Sequence, residues 1–264
     1  MTETYDDTYR DFDSPLMRRV RTEAYGEDIG QHSWVTADEL RSDIGRLSLT
    51  PSSRLLDLGA GPCGPLTFIL HHAGCSGVAA DQSASGLDVG RERARALGVD
   101  AQFSTRQADL NDPLPFDDAS FDAAISLDVV LHLRDRARLF REVARVLRPG
   151  GRFLLTDAGV ITGPISNEEV EARSGYGFTQ FSPAGLDERL LEQSGFRVVE
   201  TRDRTASVVR NAGGRLGAMR THRTELEDAI GTAAFERQQD YLAICLALAE
   251  RRAMSRVMVL AERR

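Results

Sequence analysis

The hydrophobic pattern is most regular between residues 53 and 160, where short apolar runs alternate with stretches of helical period. Apolar runs bounded by turn residues fit buried strands, and their alternation with helices predicts a parallel sheet wrapped by helices. Arg54-Leu-Leu-Asp-Leu58 is the first strand, leading into a Gly-rich turn and a helix through Thr67–His72. Gly77–Asp81, Ala101–Gln107 and Phe121–Leu127 are strands two to four. A helix over about Ser85 to Leu97 precedes the third, with Gly98 placed to end it. Leu133, Ala137, Phe140, Ala144 and Leu147 recur at spacings of three and four, an amphipathic helix. Arg148-Pro-Gly-Gly151 breaks that helix and feeds strand five, Arg152–Thr156.

After residue 160 the pattern changes. Ile161 to Ser182 is irregular, Pro183–Gln193 helical and Phe196–Arg202 a strand. A long helical region over about 206–252 precedes a last strand, Ser255–Leu260. Residues 1–50 form helices that cap the sheet as a lid, and 51–264 one α/β domain with acceptor-side insertions at 159–182 and 206–252.

Composition narrows the chemistry. The chain of 264 residues contains no lysine, so all 33 basic residues are arginine. Schiff-base lysine chemistry, a P-loop lysine and a Tyr–Lys dehydrogenase pair are therefore excluded. A net charge of −7 argues against nucleic acid as a partner, because binding it needs a clustered basic surface. No apolar run approaches the roughly 18 residues of a membrane span, and the polar, acidic start is unlike a signal peptide. The expected setting is the cytoplasm, with no membrane partner. Cys63, Cys75 and Cys245 are scattered and fit reduced, apolar positions, and no His/Cys/carboxylate cluster has metal-ligand spacing.

Asp57-Leu-Gly59-Ala-Gly61-Pro-Cys-Gly64 lies between strand and helix, where glycines let a ligand approach the backbone. Asp81, ending strand two, stands where an acid reaches ribose hydroxyls. A turn without ligand and a nicotinamide-dinucleotide site both fit these residues alone. Pro62 and Pro65, however, remove N–H donors that a pyrophosphate would use, and Asp57 suits a cationic aminoacyl group.

Leu56-Asp-Leu-Gly-Ala-Gly61, Ala79-Ala-Asp-Gln-Ser83, Ala108-Asp-Leu110 with Leu114-Pro-Phe116, Phe121-Asp122 and Leu147-Arg-Pro-Gly-Gly151 follow in order over residues 53–158. Together they resemble the motif series of the class I S-adenosylmethionine-dependent methyltransferases. The resemblance implies a Rossmann-like seven-stranded, mostly parallel sheet with an antiparallel last strand, and S-adenosylmethionine as cofactor. It implies that Gly59 and Gly61 pass the methionyl part close to backbone while Asp57 orients its ammonium group. Asp81 would take the ribose hydroxyls and Gln82 stack beside adenine. Asp109 would accept from the adenine amino group, with the Leu110 N–H nearby, and Ser126 joins this cofactor set.

At the end of strand four, Ser126-Leu-Asp128-Val-Val-Leu-His132 places two titratable groups one turn apart, on one face of a helical turn. This segment is similar to that of the phosphoethanolamine methyltransferases, which implies that Asp128 and His132 serve acceptor positioning and proton removal. Tyr25-Gly-Glu-Asp28 resembles the same family's entrance segment and would bring Gln31 and His32 towards the cofactor. Arg173 and Tyr176 are similar to its phosphate holders. Asp13 stands near the family's lid tyrosine, with Tyr5 and Tyr9 out of register, and the family's phosphate-holding lysine has no counterpart here. Tyr176, Phe178 and Phe181 could wall the acceptor or anchor a loop, and Trp34 carries the same two readings. The expected activity is methyl transfer to a small polar metabolite, preferably an amine nitrogen. O-methylation of a hydroxyl or carboxyl metabolite, and non-catalytic cofactor binding, are the alternatives.

Overall fold

The computed structural model describes residues 6, 8–175 and 177–264; Tyr5 and Tyr176 lie outside the described residues. The sheet has the order β3-β2-β1-β4-β5-β8-β7, built from β1 (Arg54–Leu58), β2 (Ser76–Asp81), β3 (Phe103–Gln107), β4 (Phe121–Leu127), β5 (Leu147–Ile161), β7 (Phe196–Asp203) and β8 (Met254–Arg263). The pairs from β3 to β5 are parallel, and β8 runs antiparallel to both β5 and β7. A short β6 (Ser182–Pro183) adds an eighth strand beside the end of β5. The seven-stranded arrangement with an antiparallel last strand is thus as the sequence implied.

β1 and β4 have the predicted bounds because both are buried runs ended by sharp turns. β5 is longer than predicted. Leu147 already pairs with Phe121, and the register then shifts before Ala123 meets Arg152, so Arg148-Pro-Gly-Gly151 is a bulge within extended chain. The helical region 206–252 divides into Thr205–Thr221, Arg223–Ile230 and Thr232–Glu250, interrupted at His222 and Gly231. Among the described residues, the irregular stretch after β5 contains one short helix, Asn167–Arg173, with a Ser166/Glu169 capping box.

Helix α1 (Pro15–Tyr25) begins at the Ser14 cap and ends at Gly26; α2 (Ala37–Arg46) begins with a Thr36/Glu39 capping box. Val20, Ala24 and Trp34 share a buried cluster with Val208, Ala212 and Leu216 of Thr205–Thr221, so the N-terminal segment lies against the C-terminal helices. α3 (Gly64–Ala73) and α4 (Ala84–Ala96) cover one face of the sheet, and α5 (Arg136–Val146) covers the other with Leu139, Phe140 and Val143. Among the described residues no helix is long and apolar enough to cross a membrane.

Candidate active site

A cavity of about 540 Å³ opens at the carboxyl ends of β1 to β4, the edge where open α/β sheets bind ligands. Of the predicted cofactor residues, Asp57, Gly59, Gly61, Asp81, Gln82, Asp109 and Leu110 line it. Ser126 does not. It is fully buried within β4 and its hydroxyl donates to the Leu58 carbonyl at 3.3 Å, so the sheet has taken its hydrogen bond. That placement of Ser126 is a correction to the sequence reading.

The Gly-rich turn is held from β2. Asp81 Oδ2 accepts from the Gly61 N–H and Oδ1 from the Ser83 N–H, both at 2.8 Å. Gly59 and Gly61 have φ of 76° and 51°, and a Cβ on Gly59 would stand 2.5 Å from the Val129 side chain. Asp57 is buried, and its Oδ2 has no hydrogen-bond partner among the described residues. Burial, with Asp81 beside it, pushes the Asp57 carboxyl up to about 8. An orphaned buried carboxylate at a cavity wall is what an ammonium ligand would satisfy, so the residues present fit the aminoacyl cofactor. Asp109 is more exposed, and its Oδ1 accepts from the Asn111 backbone N–H at 2.8 Å.

At the other end, Asp128 and His132 both line the cavity, but not as a hydrogen-bonded pair on a helical turn. Asp128 has φ of 62°, and a 3-10 turn, Val130–His132, follows it. Its Oδ1 lies 2.8 Å from Arg256 Nε and accepts from Thr156 Oγ1 at 2.9 Å; its Oδ2 accepts from the Trp34 N–H at 3.0 Å. His132 Nδ1 lies 3.1 Å from the Phe178 carbonyl. A carbonyl only accepts, so this bond fixes the Nδ1–H tautomer and makes Nε2 the basic nitrogen. Burial lowers the His132 pKa below its ordinary value; the Phe178 carbonyl partly opposes this, and Arg173 reinforces it.

The N-terminal segment supplies Tyr9, His32, Ser33 and Trp34 to the walls. The Tyr9 hydroxyl lies 3.3 Å from His32 Nδ1. Burial pushes the His32 imidazole down to about 3, so it is neutral near pH 7. Gln31 instead turns inward, where its Oε1 accepts from the Ile29 N–H at 3.0 Å. The entrance motif singled out His32, and Trp34, which could wall the acceptor or anchor a loop, takes the wall position; nothing local marked Arg215 or Tyr241 as wall residues.

Arg173 is 4% exposed and lines the cavity. Its Nη1 donates to the Tyr241 hydroxyl at 2.7 Å, and its guanidinium faces the Phe181 and Tyr241 rings. Among the described residues no carboxylate lies within ion-pair distance of it. Phe181 thus packs against Arg173, and Phe178, 40% exposed, contributes its carbonyl to His132 rather than a ring to the wall. The loop carrying these residues is fixed by buried Arg136, which bonds Asp157, Asp187 and the Gln180 carbonyl. Tyr176 falls outside the described residues.

Comparison with known proteins places the chain among methyltransferases. The methyltransferase domain family matches residues 56–155. Methyltransferase GfsG of Streptomyces halstedii is 32% identical over 164 residues, 60% of this chain and 58% of that protein. The sarcosine/dimethylglycine N-methyltransferase of Halorhodospira halochloris is 30% identical over 219 residues, 78% of this chain and 75% of that protein. The chain therefore spans less than two thirds of GfsG but three quarters of the Halorhodospira enzyme. Among solved structures, a phosphoethanolamine N-methyltransferase from Haemonchus contortus superposes with a TM-score of 0.80 at 20% identity. That superposition covers 98% of this chain and 60% of the other, a likeness of fold.

Proposed function

The chain belongs to the S-adenosylmethionine-dependent methyltransferases, and we propose that it methylates the amine nitrogen of a small polar metabolite carrying an anionic group. The observation that carries the acceptor class is Arg173: a buried guanidinium on the cavity wall with no carboxylate partner among the described residues. A buried cation is costly unless an anion meets it, and arginine suits carboxylate and phosphate equally. The Halorhodospira relative is named for sarcosine and dimethylglycine, which are amines bearing a carboxylate.

Bound S-adenosylmethionine would supply a methyl group on a positively charged sulfur. Asp57 would hold its ammonium group and Asp81 its ribose hydroxyls. Gln82 would lie beside the adenine, whose amino group Asp109 and the Leu110 N–H would meet. Arg173 would anchor the acceptor, and His132 Nε2 would take the proton that an amine must lose before its lone pair can attack. Asp128 takes no proton in this scheme, since Arg256, Thr156 and the Trp34 N–H already use its oxygens. The described N-terminal residues that line the cavity, Tyr9 and His32 to Trp34, would act as a cap over it, and the net charge of −7 and three buried free cysteines fit a cytoplasmic setting without nucleic acid.

Methyl-labelled cofactor incubated with glycine, sarcosine, ethanolamine phosphate and a set of phenols tests the reading. Label on an amine supports it. Label only on a hydroxyl or carboxyl favours O-methylation, a second reading supported by the apolar wall of Leu131, Trp34 and Ala158 beside His132. Cofactor binding with no transfer to any acceptor favours a non-catalytic protein.

A further inference from the structure

Arg256 lies on β8, opposite the cofactor half of the cavity, and its side chain is completely buried. Its Nε meets both Asp128 oxygens at 2.8 and 3.1 Å. Nη1 meets Glu39 of α2 at 2.7 Å and Ser207 at 2.9 Å, and Nη2 meets Thr156 of β5 at 3.1 Å. Arg204 stands behind, 3.7 Å from Glu39 and paired with Asp43. Asp128, Glu39 and Asp43 therefore each have an arginine partner inside the protein.

The cavity's charge balance follows from this. Its lining carboxylates are Asp57, Asp81 and Asp109 on the cofactor side and Asp128 on the acceptor side. The lining also carries the Arg134, Arg173 and Arg215 guanidiniums and the His32 and His132 rings. Asp157 lies within electrostatic reach of His132 but is committed to Arg136. An unpaired Asp128 carboxylate would attract an acceptor as its ammonium ion, whose nitrogen has no lone pair for the methyl group.

We propose that Arg256 is a positioning residue that keeps the acceptor in its neutral, nucleophilic form, by cancelling the charge of Asp128 and leaving an acceptor wall that disfavours an ammonium group. This rests on the amine reading above and deepens it. The proton lost by the amine leaves with His132 or solvent, and no charge on Asp128 holds it in place. The same pairing fixes the Asp128 oxygen that receives the Trp34 N–H, which sets one wall of the acceptor space.

The test uses the full chain with S-adenosylmethionine and glycine, sarcosine or dimethylglycine as probes, following kcat and KM against pH. A second readout is the nitrogen-15 shift of labelled sarcosine bound beside S-adenosylhomocysteine, which reports its protonation without turnover. Arg256→Gln should move the acid limb of kcat, and the bound amine's pKa, upward by about 1–3 units, the usual effect of an uncompensated nearby charge. At pH 7 kcat should fall roughly tenfold or more with KM no higher, a split that simple misfolding would not give. Arg256→Lys, which keeps the charge, and the neutral pair Asp128→Asn with Arg256→Gln should both return the limb towards wild type.

An unmoved acid limb in Arg256→Gln, with wild type active on an amine, overturns the proposal and leaves the amine reading standing. A wild type that methylates none of these amines overturns both. Should Arg256→Gln fail to fold, the neutral pair and Asp128→Asn decide, because an upward limb in either contradicts the charge argument.

Discussion

The carbonyl oxygen of Gly30 lies where a side chain on Gly64 would have to stand: a Cβ built there would be 2.2 Å from it. Gly64 opens α3, directly after the left-handed Cys63 of the Gly-rich turn, and Gly30 immediately precedes the wall segment containing His32 and Trp34. The two glycines thus let the Gly-rich turn and the N-terminal segment approach closely, backbone to backbone. Gly64→Ala should destabilise the protein by about 1–3 kcal/mol, the range for overpacking, because the neighbour is backbone and cannot swing aside. A thermal melt showing no loss would contradict this contact.

Asp57 should make cofactor binding depend on pH. Its carboxyl, raised to about 8, is largely protonated in the ligand-free protein at pH 7, whereas an ammonium ligand needs the carboxylate. Binding should therefore release close to one proton near pH 7 and weaken as pH falls below 8. Calorimetry of S-adenosylhomocysteine binding in buffers of different ionisation enthalpy measures that proton directly.

The same carboxyl has a consequence for folding. An acid whose folded pKa exceeds its unfolded value favours the folded state most below the unfolded pKa, and that favour is lost as pH rises through the folded one. For Asp57 the window runs from about 4 to about 8. Asp57→Asn should raise the melting temperature of the ligand-free protein more at pH 8.5 than at pH 4, while abolishing the proton release. Equal shifts at both pH values would mean that Asp57 does not titrate in this window.

Asp81→Ala removes two acceptors from the turn, at the Gly61 and Ser83 N–H groups, in addition to any bond to ribose. Cofactor binding should weaken by roughly 1–3 kcal/mol. Unchanged affinity by calorimetry would take Asp81 out of the site.

His132→Ala should lower turnover roughly 10²–10⁴-fold, the usual contribution of a positioned base, with cofactor affinity nearly intact. Because burial lowers the His132 pKa, the ring stays a neutral base at pH 6.5 and above, so the acid limb of the wild-type rate reports the bound amine rather than the ring. Normal turnover by the variant on its own acceptor would leave positioning as the protein's main contribution.

How much of this was legible in sequence divides by distance along the chain. Strand ends, the Gly-rich turn and the acids at or near the end of each strand are local features: Asp57 is the last residue but one of β1, Asp81 ends β2, Asp109 closely follows β3, and topology then brings the three to one edge. Residue type, strand period and turn chemistry determined that half of the site, because parallel neighbours in a twisted sheet have few ways to pair. The partner of Asp128 was not legible. Spacing suggested His132, four residues on, whereas the fold supplied Arg256, 128 positions away on an antiparallel strand. No local pattern marks an arginine in a strand as buried, since burying its charge is favourable only once Asp128, Glu39 and Thr156 from three other elements surround it. The same holds for Arg173, whose burial comes from the Phe181 and Tyr241 rings, and for Trp34, fixed at its N–H by Asp128 and at its carbonyl by Asn211. Sequence determined where a cofactor could lie; tertiary packing decided which charges face the acceptor, because compensating a buried charge takes partners from several elements at once.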